Sequence, residues 1–137
     1  MTFALRDHTA DVAVEAESAS LDGVFGAVAD GMAAAMCEEI PAAGGDRFKF
    51  TVTAENREAL LFDYLDHLIY ERDVRGVLPV DNRASVTETD GEWQVEGSAR
   101  GVTFDRVDAR DLKAVTYSEM DLSERTEGWH AYVVFDV

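Results

Sequence analysis

The residues best suited to chemistry lie near the two ends of the sequence. Residues 6–14 place an imidazole, a hydroxyl and two carboxylates directly before an apolar, alternating strand pattern. Residues 132–137 read as a final strand that ends with the carboxylate of Asp136 and the terminal carboxylate of Val137. If the two strands meet, hard oxygen donors converge, and such donors without thiolates suit Ca²⁺ or Mg²⁺ rather than zinc. Acids on an acidic protein are more often simply solvated, so composition alone leaves both interpretations open.

A second candidate is Lys113, a lone cation in the otherwise apolar segment 112–117 of a chain with few lysines. Lys113 could be an ordinary cross-strand partner of an acid. It could equally be a positioned cation that contacts an anionic ligand, a nucleotide phosphate or a partner carboxylate. The sequence has no Gly-rich phosphate loop, no paired Cys or His-Glu metal signature and no nucleophile elbow, so the common enzyme fingerprints are absent.

The elements that must position these residues form an α+β pattern. Alternating apolar residues predict strands over 3–5 and 11–17, and Ser20 and Asn56 are suited to cap two helices. Asp90-Gly91 predicts a type I′ hairpin within a run of further strands that ends at the C-terminus. The sequence therefore predicts one domain, residues 1–137, with two helices packed on a mixed, largely antiparallel β-sheet in the order β-β-α-β-α followed by several strands.

The charge and cysteine content restrict partners and compartment. Twelve basic against 28 acidic residues give a net charge of −16, which argues against direct nucleic-acid binding and is typical of proteins adapted to high salt. The single cysteine, Cys37, cannot form an internal disulfide and reads as a small buried hydrophobe. With no signal-peptide pattern and no apolar run of about 20 residues, we expect a cytoplasmic protein without a membrane partner.

Four blocks together resemble the archease family. They are His-Thr-Ala-Asp at residues 8–11, the leucine-rich second helix from Leu60 to Tyr70, Lys-Ala-Val-Thr-Tyr at residues 113–117, and the segment from Gly128-Trp129 to the end. The resemblance spans nearly the whole chain in the right order. Two positions depart from the pattern of many relatives, since Tyr64 stands in place of a tryptophan and Ser118 in place of a histidine.

This resemblance implies a non-catalytic protein cofactor of the RtcB-type tRNA ligase, which joins RNA ends during tRNA splicing. Such a cofactor promotes guanylylation and multiple turnover of the ligase. The resemblance also implies a divalent metal, most often calcium, with magnesium or manganese as alternatives. Its ligands would be Asp11, Asp136 and a backbone or terminal oxygen of Val137, while His8 and Lys113 would contact the partner or a ligand.

Two other functions are compatible with the same residues. A metal-dependent phosphoester hydrolase could use Asp11 and Asp136 around a metal-bound water, and it would turn over substrate without a partner. A general chaperone-like binding module could hold a purely structural ion, and it would bind many unfolded clients whatever residue stood at position 113. The sequence offers no general base of clear geometry and no long apolar run, so both rank below the ligase cofactor.

Overall fold

The computed structural model describes residues 2–8 and 11–137, with side chains described for residues 2–5 and from residue 11 onward. Within these residues the chain forms seven strands and two α-helices, with a short 3₁₀ turn at Phe104–Arg106. In chain order they are β1 (Thr2–His8), β2 (Asp11–Ser18), α1 (Leu21–Met36), β3 (Asp46–Ala54), α2 (Arg57–Arg75), β4 (Val77–Thr89), β5 (Glu92–Thr103), β6 (Ala114–Arg125) and β7 (Gly128–Asp136).

The strands divide into two sheets. One has four strands in the order β1-β2-β7-β6, and the other has three in the order β3-β5-β4. Every pairing among the described strands is antiparallel. The predicted α+β class and element order are therefore confirmed. The predicted hairpin at Asp90-Gly91 is confirmed as well, because both residues have the positive φ, 53° and 83°, that a type I′ turn requires.

Both helices begin at the capping residues that the sequence provides, and α2 ends at a glycine. The Ser20 hydroxyl accepts a hydrogen bond from the Gly23 amide at 3.0 Å, and the Asn56 side-chain oxygen accepts one from the Ala59 amide at 2.8 Å. Gly76 ends α2 in the left-handed conformation, with φ of 65°, which glycine adopts without a steric penalty. Neither helix in the described part of the chain is long and apolar enough to span a bilayer.

The two helices pack against the sheets to form one core. Helix α1 contacts β2 in the first sheet and β4 in the second, while α2 contacts β3 and β6. A Cβ atom at Gly31 would overlap the Val14 side chain, and one at Gly26 would lie 3.0 Å from the Asn82 carbonyl oxygen. The absence of a side chain at these two glycines thus permits the close approach of α1 to both sheets. Cys37 is buried at the end of α1, as predicted.

Candidate metal centre

The ends of several strands meet at one edge of the four-stranded sheet. Asp11, the first residue of β2, pairs directly with Asp136, the last residue of β7. On one side of this pair, His8 of β1 lies opposite Asp11, and on the other side Ala114 of β6 lies opposite Asp136. The backbone N–H of Lys113 donates a hydrogen bond to the Asp136 carbonyl oxygen at 2.8 Å. The predicted meeting of the two chain ends is therefore confirmed.

Strand alternation puts both carboxylates on the same face of the sheet. In β2, Val14 is fully buried, and in β7 its partner Val133 and the next inward residue, Phe135, are fully buried too. Successive side chains of a strand point to opposite faces, so Asp11 and Asp136 project from the outward face. Asp11 is half-buried and Asp136 is exposed. Burial of the apolar side chains in the core therefore determines that the side chains of Asp11 and Asp136 point away from it.

The two carboxyl groups interact directly. A hydrogen bond to Asp11 raises the pKa of Asp136; desolvation and the negative charge of Asp11 act in the same direction, while the positive charge of Lys113 opposes them. Two carboxyl groups can hydrogen-bond to each other only when one of them carries a proton. A divalent cation bound between the two oxygens would displace that proton. The pair therefore concentrates negative charge that a shared proton or a cation would neutralise.

The donors present fit a hard divalent cation. Two carboxylates lie together, and the main chain of the exposed Val137 follows Asp136 directly. Among the side chains that the structure describes, no group of three or more His, Cys, Asp or Glu residues is placed to hold a metal. A cation here would complete its shell with main-chain oxygens and water, as Ca²⁺ and Mg²⁺ commonly do. The predicted contact residue His8 has its side chain outside the described residues.

The chain is similar to one family of known proteins over nearly its whole length. The model of the archease protein family matches residues 3–137. The chain belongs to the archease family. Among curated relatives, the archease of Pyrococcus furiosus is 27% identical over 135 residues, covering 96% of this chain and 95% of the relative. The archease of Thermococcus gammatolerans is 28% identical, with the same two coverages.

Solved structures share the archease fold. The solution structure of Methanobacterium thermoautotrophicum protein 1598 superposes with a TM-score of 0.85 at 26% identity, covering 98% of each chain. The crystal structure of an archease, "possible chaperone", from Thermotoga maritima has a TM-score of 0.65 at 20% identity, covering 96% of this chain and 94% of the other. The second likeness, at its low identity, shows the fold alone.

A second polar cluster on the same face of this archease was missed by the sequence analysis. His130 is buried, and its Nδ1 lies 2.8 Å from an Asp121 carboxylate oxygen while its Nε2 lies 3.0 Å from Glu15. The cluster joins β6, β7 and β2, because these residues come from the three adjacent strands. Within β7, alternation places His130 on the same side as Asp136, and within β2 it places Glu15 on the same side as Asp11. Only the pairing of β2 with β7 shows that both sides belong to the same face of the sheet.

Proposed function

We propose that this protein is a non-catalytic, cytoplasmic cofactor of an RtcB-type tRNA ligase, and that it acts through a metal-bearing tip at the edge of the four-stranded sheet. We define the tip as Asp11, Asp136, Val137 and Lys113. The observation that carries the proposal is the direct pairing of Asp11 with Asp136, next to Lys113, in a member of the archease family. By this reasoning the protein assists ligase guanylylation and multiple turnover in tRNA splicing.

The residues of the tip have different roles. Asp11 and Asp136 would hold the divalent cation, with a main-chain oxygen of Val137 as a third donor; calcium suits this donor set, and magnesium or manganese are alternatives. The bound ion would supply positive charge toward phosphate or carboxylate oxygens of the partner. Lys113 is exposed and influences Asp136, so its ammonium group is available at the same edge to contact an anionic group.

A protein cofactor can accelerate the ligase only if it binds one ligase state more tightly than another. The tip is compact and charged, while the rest of the chain carries most of the 28 acidic residues. Insertion of the tip near the guanylylation centre would favour the conformation that reacts with GTP. The two carboxylates are held in place because Asp11 and Asp136 lie at the ends of paired strands. Lys113 directly precedes β6, and its main-chain hydrogen bond to Asp136 holds it beside them.

The test is guanylylation of the cognate ligase by labelled GTP, with the ligase limiting, in the presence and absence of this protein. We expect stimulation by the metal-loaded protein, and loss of most of it after chelation and in Asp11→Ala, Asp136→Asn and Lys113→Ala. Glu17→Gln is the matched control. It removes an exposed carboxylate from the same strand as Asp11, about 20 Å along the strand from it, and should stimulate like the unaltered protein.

Each alternative gives a different result. Full stimulation by a folded Asp11→Ala variant would refute the tip, and no stimulation by the metal-loaded protein would refute the ligase role. Phosphoester turnover by the protein alone would favour a hydrolase. A chaperone-like function, suggested by the description of the Thermotoga maritima protein, predicts that this protein suppresses aggregation of unrelated unfolded clients and that Lys113→Ala retains this activity.

A further inference from the structure

The outward face of the three-stranded sheet carries an unusual concentration of positive charge. Arg47 lies opposite Arg100 on the neighbouring strand, and Lys49 and Arg83 both lie opposite Ser98, one from each side. Directly paired residues project from the same face of a sheet. We call Arg47, Lys49, Arg83 and Arg100 the cationic face. It holds four of the twelve basic residues of a chain whose net charge is −16.

Two of these cations are fixed in place, and two are free to bind. The Arg47 guanidinium donates to the Ser98 hydroxyl at 2.9 Å and to the Asp81 carboxylate at 2.6 Å. Arg100 donates to the carbonyl oxygens of Gly44 and Pro41 at 2.6 and 2.9 Å.

The other two, by contrast, make weak contacts or none. Lys49 is exposed and forms no ion pair with a residue that the structure describes. The side chain of Arg83 is 70% exposed, and its nearest carboxylate oxygen, on Asp81, lies 3.7 Å away. Lys49 and Arg83 are therefore the two cations that an external anion can reach.

A shallow depression lies between these two cations. It has a volume of about 530 Å³, and its polar lining is Lys49, Thr51, Arg83, Ser85, Glu96 and Ser98. Since Ser98 accepts a hydrogen bond from Arg47, its own hydroxyl proton remains to be donated outward. Cations and hydroxyl donors thus surround the depression. The nearby negative charges are Glu96 in its lining and Asp81, which lies 3.7 Å from Arg83.

The chemistry of this face fits phosphate groups better than a protein surface. Across the described stretches 47–53, 83–89 and 94–100, every outward-facing side chain is polar. A stable protein interface needs an apolar centre, which this face does not offer. Phosphate oxygens need only cations and hydrogen-bond donors. Residues i and i+2 of a strand lie about 6.6 Å apart, so the donors form regular rows along which an extended backbone can run.

We propose that the cationic face binds the sugar–phosphate backbone of single-stranded RNA, without reading its sequence. The face carries no outward aromatic side chain on which bases could stack, so contacts are to the backbone alone. The net charge predicted no direct binding of nucleic acid, and this proposal reverses that prediction for one surface of the protein. At physiological salt the Debye length is about 8 Å, so an anion in contact with the sheet is governed by nearby charges and not by the total of −16.

The experiment is fluorescence anisotropy of a labelled 20-nucleotide uridine oligomer, titrated with the full chain in EDTA. The titration is repeated over a range of KCl concentrations at which circular dichroism shows native structure. Lys49→Glu and Arg83→Glu are compared with Arg125→Glu, which makes the same change in net charge at an exposed position of the other sheet. Asp11→Ala tests whether the tip is involved.

We expect the two face variants to weaken binding by about fivefold or more, and Arg125→Glu and Asp11→Ala by less than about twofold. Each lost phosphate contact should also reduce the slope of log K against log salt by about 0.7. The proposal is overturned if the unaltered protein does not bind, or if Arg125→Glu weakens binding as much as Lys49→Glu. It is overturned equally if an acidic peptide competes as well as RNA and shows the same dependence on Lys49, because the face would then serve a protein.

Discussion

Tyr64 offers a sharp test of the packing between α2 and the sheets. Its side chain is fully buried, with the Phe25 ring centroid 5.5 Å and the Phe50 centroid 5.8 Å from its own. No described residue forms a hydrogen bond with its hydroxyl. Burial raises the pKa of this hydroxyl, and the charge of Asp30 acts in the same direction, so it remains a protonated donor without an acceptor.

Replacing Tyr64 by phenylalanine removes the unsatisfied group and keeps the ring contacts. An unpaired buried polar group costs about 1–3 kcal/mol, so Tyr64→Phe should raise the free energy of unfolding by about 1 kcal/mol after the loss of the oxygen's packing contacts. For 137 residues, an unfolding entropy of about 2.1 cal/mol/K per residue gives about 0.29 kcal/mol/K. The expected rise in Tm is therefore about 3–4 °C.

The assay is thermal and urea unfolding of both proteins in the same salt. Tyr70→Phe is the control, because Tyr70 lies on the same helix but is 56% exposed, and it should change stability by less than about 0.5 kcal/mol. A loss of 1 kcal/mol or more in Tyr64→Phe would refute the reasoning. It would mean that an internal water supplies the acceptor that no described residue provides to this hydroxyl.

Three further predictions concern the tip and the core. In EDTA, the raised pKa of Asp136 means that the folded state binds this proton more tightly than the unfolded state does. The thermal unfolding midpoint should therefore fall as pH rises from about 4 through that pKa. Asp136→Asn should flatten this part of the pH profile. The Arg57 guanidinium lies 5.7 and 5.0 Å from the Trp93 and Trp129 ring centroids. Arg57→Met should therefore lower the free energy of urea unfolding by about 1–2 kcal/mol and change the tryptophan fluorescence. Gly31→Ala should lower the free energy of unfolding by about 1–3 kcal/mol in the same assay, because its Cβ would overlap Val14, although alanine is the better helix former by about 1 kcal/mol. A stabilised variant would contradict this close packing.

Local features of this protein were predictable from the sequence because they depend on neighbouring residues. The caps at Ser20 and Asn56, the hairpin at Asp90-Gly91 and the alternation in β2 all arise from short-range hydrogen bonding, backbone sterics or the period of the strand. The outward direction of Asp11 follows from the same alternation. Its pairing with Asp136 was expected from the polar character of both ends.

Other features follow from the pairing of strands that lie far apart in the sequence. The His130 cluster exists because β6 and β2 flank β7, which brings together residues 115 positions apart. The cationic face exists because β3 and β4 flank β5, so that Arg47 and Lys49 of β3 project from the same side as Arg83 of β4. The net charge carries no information about such clustering.

The sequence by itself determined the element order, where each helix begins and which side of β2 carries its acids, because each depends on contacts within a few residues. Only the tertiary structure decided that the strands form two sheets and which side chains share a face. Strand order is selected by how the apolar faces of all elements can be buried at once, and that is a property of the whole chain and not of any segment.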